Sequence, residues 1–135
     1  MAPTIVNPPE LHDPTVFGYS HTATAPPGSE LVFIAGQYAS DDRGQTTSTE
    51  FAAQVERAFA NLGTALRAVG LDYGDVLRVR TYIVDHGPDR LETLVAAVRN
   101  LWGGRPPAQT LIGVAALALP DMAFEVEAVA AQPSR

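Results

Sequence analysis

Two carboxylates near the end of the chain have the type and spacing for acid–base chemistry. Glu125 and Glu127 lie two residues apart in a run that alternates apolar and polar residues, so both belong to one face of a predicted strand. A carboxylate in such a place can accept a proton from water during a hydrolysis. The same spacing is also typical of solvated or salt-bridged surface charges, and the pattern alone leaves both interpretations open.

A neutral amide, Gln109, lies in the run Pro107-Ala108-Gln109-Thr110. Its side chain can donate and accept hydrogen bonds but carries no charge. It could bind a neutral carbonyl or amide of a ligand. It could equally be structural and bond the backbone at a subunit boundary.

Residue types that are missing exclude several chemistries. The chain has no cysteine and no lysine, which excludes thiol nucleophiles, zinc–thiolate sites, iron–sulfur clusters and Schiff bases. The histidines His12, His21 and His86 show no metal-ligand spacing, although His21 could approach the mouth of a cleft near Tyr19. We therefore expect no metal and no cofactor.

Length and charge set the class of protein. The 135 residues suffice for one domain, residues 1–135. The net charge of -6 repels a phosphate backbone, so nucleic acid is a poor partner. No run approaches the ~20 apolar residues of a membrane span, and the N-terminus has no basic and apolar leader, so we expect a cytoplasmic protein without membrane contact.

Hydrophobic periodicity predicts an α+β domain with the order β-β-α-β-α-β-β. A turn from Ala25 to Ser29 is expected to join the first two strands as an antiparallel hairpin, and Thr47 with Glu50 has the form of a capping box. The predicted strands are Thr15–Thr24, Glu30–Gln37, Asp75–Asp85, Gln109–Val114 and Met122–Ala131; the predicted helices run from Thr47 to Gly70 and from Pro88 or Asp89 to Trp102.

The two predicted helices can cover only one face of the sheet, because each has a single apolar stripe. The other face is expected to carry Val76, Arg78, Arg80, Tyr82 and Val84 on the central strand. Apolar residues on both faces favour burial against another copy of the chain. The sequence therefore predicts an oligomer.

Four short segments, taken together and in order, resemble the RidA/YjgF family. They are Gly18-Tyr19-Ser20, Phe33-Ile34-Ala35-Gly36-Gln37, Tyr82-Ile83-Val84-Asp85 and Pro107-Ala108-Gln109-Thr110. The resemblance implies a RidA/chorismate-mutase-like fold with two helices on one face of a mixed sheet. It also implies a homotrimer whose sheets form a central barrel, with a cleft between each pair of neighbours.

The resemblance further implies a set of site residues. Glu125 matches the carboxylate that holds the hydrolytic water, Tyr19 a tyrosine that lines the cleft, and Gly36 a backbone amide that faces the substrate. The chain departs from the family at three positions: Ala35 replaces a frequent serine, Leu111 a frequent cysteine, and Gln109 the arginine that binds the substrate's carboxylate. Arg105, Arg78 or Arg80 could supply the missing cation.

The resemblance therefore implies an enzyme that hydrolyses a reactive imine, enamine or related small carbonyl derivative. Its substrates are expected to differ from simple amino-acid imines, because Gln109 cannot form the paired hydrogen bonds of a guanidinium with a carboxylate. Two alternatives stay open. One is a trimer that binds a small metabolite without turnover, and the other is a pathway-specific isomerase or cyclase that uses the same cleft.

Overall fold

A four-stranded mixed sheet forms the centre of the molecule, and two helices pack on one of its faces. The computed structural model describes residues 1–134. Strands pair in the order β3-β6-β4-β5, with β4 and β5 parallel and the other pairs antiparallel, so the predicted α+β class is confirmed. The strands are β1 Thr4–Val6, β2 Thr22–Thr24, β3 Glu30–Gln37, β4 Val76–Val84, β5 Ala108–Val114 and β6 Phe124–Gln132; the helices are α1 Phe51–Ala68 and α2 Pro88–Trp102, with 3-10 turns at Pro14–Phe17 and Tyr73–Asp75.

Helix α1 has the predicted apolar stripe but not the predicted start. Glu50 is its N-cap residue, and its side chain forms no capping hydrogen bond. The Glu50 amide donates to Ser48 Oγ at 3.1 Å rather than to the hydroxyl of Thr47. The predicted capping box of Thr47 and Glu50 is therefore wrong. The end of the helix agrees with the sequence, since Gly70 adopts a φ of 79° and its amide donates to the carbonyl of Arg67.

The predicted first strand, Thr15–Thr24, is mostly wrong. Asp13 accepts hydrogen bonds from the amide and the hydroxyl of Thr15 and starts a 3-10 turn, which Gly18 ends with a φ of 79°. Only Thr22–Thr24 forms a strand, which pairs with β1 rather than with β3, and Ser20 forms an isolated bridge to Ala108. The predicted hairpin is absent from the described residues, because β2 pairs with β1 in a separate two-stranded sheet while β3 pairs with β6.

The core lies between the sheet and the helices. Val79, Thr81 and Ile83 of β4 are fully buried there, and their partners on β6 are buried too. Val76 is also buried in this core, although strand alternation predicted it on the opposite face of the sheet. A register shift between Val76 and Arg78 changes the alternation at this point.

The opposite face of the sheet, here called the open face, is not covered by either helix. It carries Arg80, Tyr82, Glu125 and Glu127 at its centre, as the registers of β4 and β6 require. Toward the β3 edge it exposes Phe33 to 74%. Among the described residues, no helix is long and apolar enough to cross a membrane.

Candidate functional site

Glu125 lies on the open face beside a bulge in the neighbouring strand. Between Ile34 and Gln37, strand β3 has one residue more than β6, so Ala35 and Gly36 stand opposite Glu127. A Cβ atom at Gly36 would lie 2.7 Å from Glu125 Cδ and 2.8 Å from its Oε2. Glycine is therefore required at this position if the carboxyl group is to keep its place.

The electrostatic surroundings of Glu125 favour proton uptake. Burial raises the pKa of the Glu125 carboxyl above its usual value, and the neighbouring charge of Glu127 raises it further. Glu127 itself accepts a hydrogen bond from the Tyr82 hydroxyl, and this bond is the main reason why the pKa of Tyr82 is raised. One carboxyl of the pair is thus bound to a phenol, while the other is the better candidate for a base.

Gln109 lies on the helix face, opposite to Glu125. Its register partner on β4 is Val79. The nitrogen and the oxygen of its side-chain amide each form a hydrogen bond. Gln109 Nε2 donates to the Gly18 carbonyl at 2.9 Å, and Thr81 Oγ1 donates to Gln109 Oε1 at 3.0 Å. The amide therefore joins the N-terminal segment to strand β5 within one chain, which agrees with the structural interpretation of this residue.

A pocket of about 450 Å³ lies next to this amide, between the N-terminal segment, α2 and β5. It is mainly apolar and contains two of the other residues predicted for the site, Tyr19 and Leu111. Within the described chain, no arginine or lysine contributes to its lining. The lining residues are His12, Phe17, Tyr19, Leu91, Leu94, Gln109 and Leu111.

The polar wall of this pocket is built by the N-terminal segment. Asn7 Oδ1 accepts the His21 amide at 2.7 Å and so holds the chain just after Tyr19. The Tyr19 hydroxyl and His12 Nε2 are 2.6 Å apart, and the His12 ring also meets the edges of Phe17 and His21. His12 was not singled out from the sequence, because the turn at Pro14–Phe17 that brings it to Tyr19 was predicted as extended chain.

The predicted site residues form two groups within one chain. Gly36, Ala35 and Glu125 lie at the β3 side of the open face, whereas Tyr19, Gln109 and Leu111 lie on the helix face at the β5 edge. The order β3-β6-β4-β5 puts two strands between these edges. A single copy therefore does not bring the carboxylate and the pocket together.

Within one chain, none of the three candidate arginines lines the pocket. Arg105 lines a different cavity, with Ala2 and Trp102 among its neighbours. Arg80 lies on the open face opposite Glu127, and Arg78 pairs with Val129 at the same side of the sheet. Among residues 1–134, no group of three or more His, Cys, Asp or Glu side chains is placed to hold a metal ion.

Comparisons with known proteins agree with this fold. Residues 11–132 match the model of the family described as endoribonuclease L-PSP. The crystal structure of a protein of unknown function of the conserved Rid family from Yersinia pestis is 36% identical, with 96% of this chain and 98% of that chain covered and a TM-score of 0.88. A member of the YjgF/YER057c/UK114 family from Mycobacterium tuberculosis is 28% identical, with 96% of this chain and 98% of that chain covered and a TM-score of 0.63.

Protein DfrA of Myxococcus xanthus is 29% identical over 109 residues, which are 77% of this chain and 79% of that protein. The chain belongs to the RidA/YjgF family.

Proposed function

We propose that the protein hydrolyses a small imine or enamine to a carbonyl compound and ammonia. The observation that carries the proposal is the Glu125 carboxyl, which is held beside Gly36 on the open face with its pKa raised by burial and by Glu127. Water adds to the carbon of the C=N bond while the carboxylate accepts one of its protons and passes it to nitrogen, which gives a carbinolamine. The carbinolamine hydroxyl then gives up its proton to nitrogen through the same carboxylate, the C–N bond breaks, and the carbonyl compound and ammonia form. An enamine first takes up a proton at carbon and so becomes the imine.

The proposed cleft forms between two copies of the chain. Glu125 of one copy faces the pocket of a neighbour, because within one chain the two lie on opposite faces of the sheet. The exposed side chains of Phe33 and Leu31 support such packing, since they form an apolar patch on the same open face, opposite Val129 and Ala131 of β6. We propose the homotrimer as the assembly, as in the family that the sequence resembles.

The proposed substrate has no carboxylate next to the C=N bond. The pocket is apolar, and Gln109 offers it a neutral amide that is already bonded to Thr81 and Gly18. Loss of a desolvated guanidinium–carboxylate pair weakens binding by ~2 to 5 kcal/mol, which is roughly thirty-fold to a few thousand-fold in affinity. The binding of an uncharged imine with an apolar substituent is not weakened by the absence of that cation.

The first test compares turnover by the natural protein and by Glu125→Gln. A flavin amine oxidase acting on benzylamine supplies an uncharged imine, and the disappearance of the imine is followed against the uncatalysed rate. We expect Glu125→Gln to lose about a hundred-fold or more of the rate enhancement, as removal of a general base does. Glu92→Gln, a change of an exposed carboxylate on α2, is the matched control.

The alternative that the chain only binds a metabolite makes a different prediction. Under that alternative the natural protein does not exceed the uncatalysed rate, and Glu125→Gln changes nothing. The fixed amide of Gln109 is compatible with either function, so this assay rather than the pocket geometry separates the two.

A further inference from the structure

The hydrogen bonds of Gln109 use only half of what its side-chain amide can form. The Gly18 carbonyl only accepts hydrogen bonds, so the amide nitrogen, 2.9 Å away, must face it. The amide oxygen then faces Thr81 and accepts its hydroxyl proton at 3.0 Å. An amide has two N–H groups and two oxygen lone pairs, and within residues 1–134 its side chain forms no further hydrogen bond. One donor and one acceptor of Gln109 therefore remain for a ligand.

Thr81 holds the oxygen end of this amide. It lies on β4 two residues after Val79, the register partner of Gln109, and its side chain is fully buried. A β-branched side chain has few rotamers, so packing fixes the position of the Thr81 hydroxyl. With the nitrogen bound to Gly18 as well, the amide has little freedom to rotate, and its remaining N–H and lone pair have fixed directions.

The amide is also the polar part of one pocket wall. Strand β5 and helix α2 contribute one polar side chain to the described lining, that of Gln109; the others are Leu91, Leu94 and Leu111. On the N-terminal side of the pocket, His12 and Tyr19 are bonded to each other. The polar group of a ligand that reaches the wall of β5 therefore meets the free N–H and lone pair of one amide.

We propose that Gln109 selects ligands with a neutral carboxamide-like group, and that Thr81 is the positioning residue for its amide. A carboxamide has an acceptor and a donor on neighbouring atoms, so it can pair with both remaining groups of Gln109. A ketone can pair with the N–H only and leaves the lone pair of Gln109 without a donor, which weakens binding in an apolar pocket.

The inference rests on the proposed function in one respect, since it takes the pocket as the substrate-binding half of the cleft. It narrows the proposed substrate to an imine that carries a carboxamide or a similar neutral group.

Binding of benzamide and acetophenone tests the proposal without any turnover. Both are uncharged and share the ring and the carbonyl, but acetophenone has a methyl group where benzamide has an NH2 group. Without a partner for the NH2 group, an apolar pocket favours acetophenone, because burial of an unpaired polar group is costly. By titration calorimetry we expect the natural protein to bind benzamide more tightly. In Gln109→Met the ratio of the two affinities should shift toward acetophenone about tenfold, the size of one neutral hydrogen bond with its partner left unpaired.

Three variants at threonines locate the effect. Thr81→Val keeps the shape but not the hydroxyl, so the amide is held at one end only and the preference for benzamide should fall about threefold or more. Thr81→Ser keeps the hydroxyl and should keep the preference. Thr64→Val is the matched control, because Thr64 bonds only the Ala60 carbonyl on α1 and lies outside the pocket lining. Thermal unfolding of each variant shows whether it is folded.

A purely structural role of either residue gives a different result. If Gln109 or Thr81 only stabilised the pocket, its replacement would weaken both ligands alike and leave the ratio of affinities unchanged. The selection by Gln109 is overturned if the natural protein binds acetophenone as tightly as benzamide, or if folded Gln109→Met keeps the preference. The role of Thr81 is overturned if Thr81→Val keeps the full preference, or if Thr81→Ser loses it to the same extent.

The proposed reaction fails separately. If benzamide is preferred as described and no imine is hydrolysed, only the reaction is wrong. If imines are hydrolysed and the preference is absent, only the selection by Gln109 is wrong.

Discussion

The proton affinity of Glu125 follows from two features of its surroundings. The side chain is half-buried, which disfavours its charged form, and Glu127 follows two residues later on the same face. A raised pKa makes the carboxylate a stronger base. It also means that the base is protonated, and therefore inactive, at a higher pH than an exposed glutamate would be.

Removal of the charge of Glu127 is expected to extend activity to lower pH. Glu127→Gln takes away one of the two causes that raise the pKa of Glu125, so the pKa falls and Glu125 stays ionised in more acidic solution. The acid limb of the profile of kcat/KM against pH should shift to lower pH, with the rate near pH 8 retained to within about threefold. An acid limb that keeps its position, or shifts to higher pH, would contradict the coupling of the two carboxylates. Glu92→Gln serves again as the control.

The individual site residues could be found from sequence to different extents. Tyr19, Gln109 and Leu111 do meet at one pocket, and Gly36 does contact Glu125. The resemblance to the family supplied these residues, whereas residue types and spacing alone left Glu125 open.

His12 could not be found from the sequence in this way. It comes to Tyr19 through a turn that Asp13 starts and Gly18 ends, and no periodic pattern marks that turn. Arg105 shows the opposite case, because it is close to Gln109 in sequence but lines another cavity.

At the scale of elements, hydrophobic periodicity predicted the long segments well. Helix α2 and strand β4 lie within a residue of their predicted bounds, because each buries a regular face against the core. The segment before β2 was predicted wrongly, since there a local hydrogen bond from Thr15 to Asp13 decides the backbone. The bulge in β3 gives no periodic signal either, yet it places Gly36 beside Glu125.

The bulge yields a direct prediction. In Gly36→Ala the new methyl group would lie 2.7 Å from Glu125 Cδ, so the carboxyl group must move. We expect imine hydrolysis to fall by about ten- to a hundred-fold while the protein stays folded, because a displaced base loses its alignment with water. Gly104→Ala is the matched control, since a methyl group there meets nothing within 4 Å. Equal rates in the two variants would show that the position of Glu125 does not matter.

At the scale of the whole molecule, the open face is the feature that a single chain leaves unexplained. Phe33 is 74% exposed and Leu31 is 55% exposed, on the same face as the Glu125 carboxyl. The sequence predicted an apolar second face from strand alternation. It could not show that Glu125 and Gln109 lie on opposite faces, because that depends on the register of β5 along β4.

Assembly is therefore expected to be required for activity. Light scattering should give a mass of about three times 14.3 kDa for the natural protein. Phe33→Glu puts a charge on the proposed contact and should lower that mass and the imine hydrolysis together. A natural protein that is monomeric at micromolar concentration, or a Phe33→Glu monomer with full activity, would rule out the cleft between copies.

We expect the neutral amide of Gln109 to set the substrate choice of a cleft that otherwise keeps its base. The most direct measurement compares two imines under the same conditions. One is 2-iminobutanoate, made in place by an amino-acid oxidase, and the other is the uncharged imine of benzylamine.

The natural protein should prefer the uncharged imine. Gln109→Arg should raise kcat/KM for 2-iminobutanoate at least about thirty-fold, as its guanidinium can still donate to Gly18 while it binds the carboxylate. Strong hydrolysis of 2-iminobutanoate by the natural protein, or no gain in the folded variant, would show that Gln109 does not set the substrate choice.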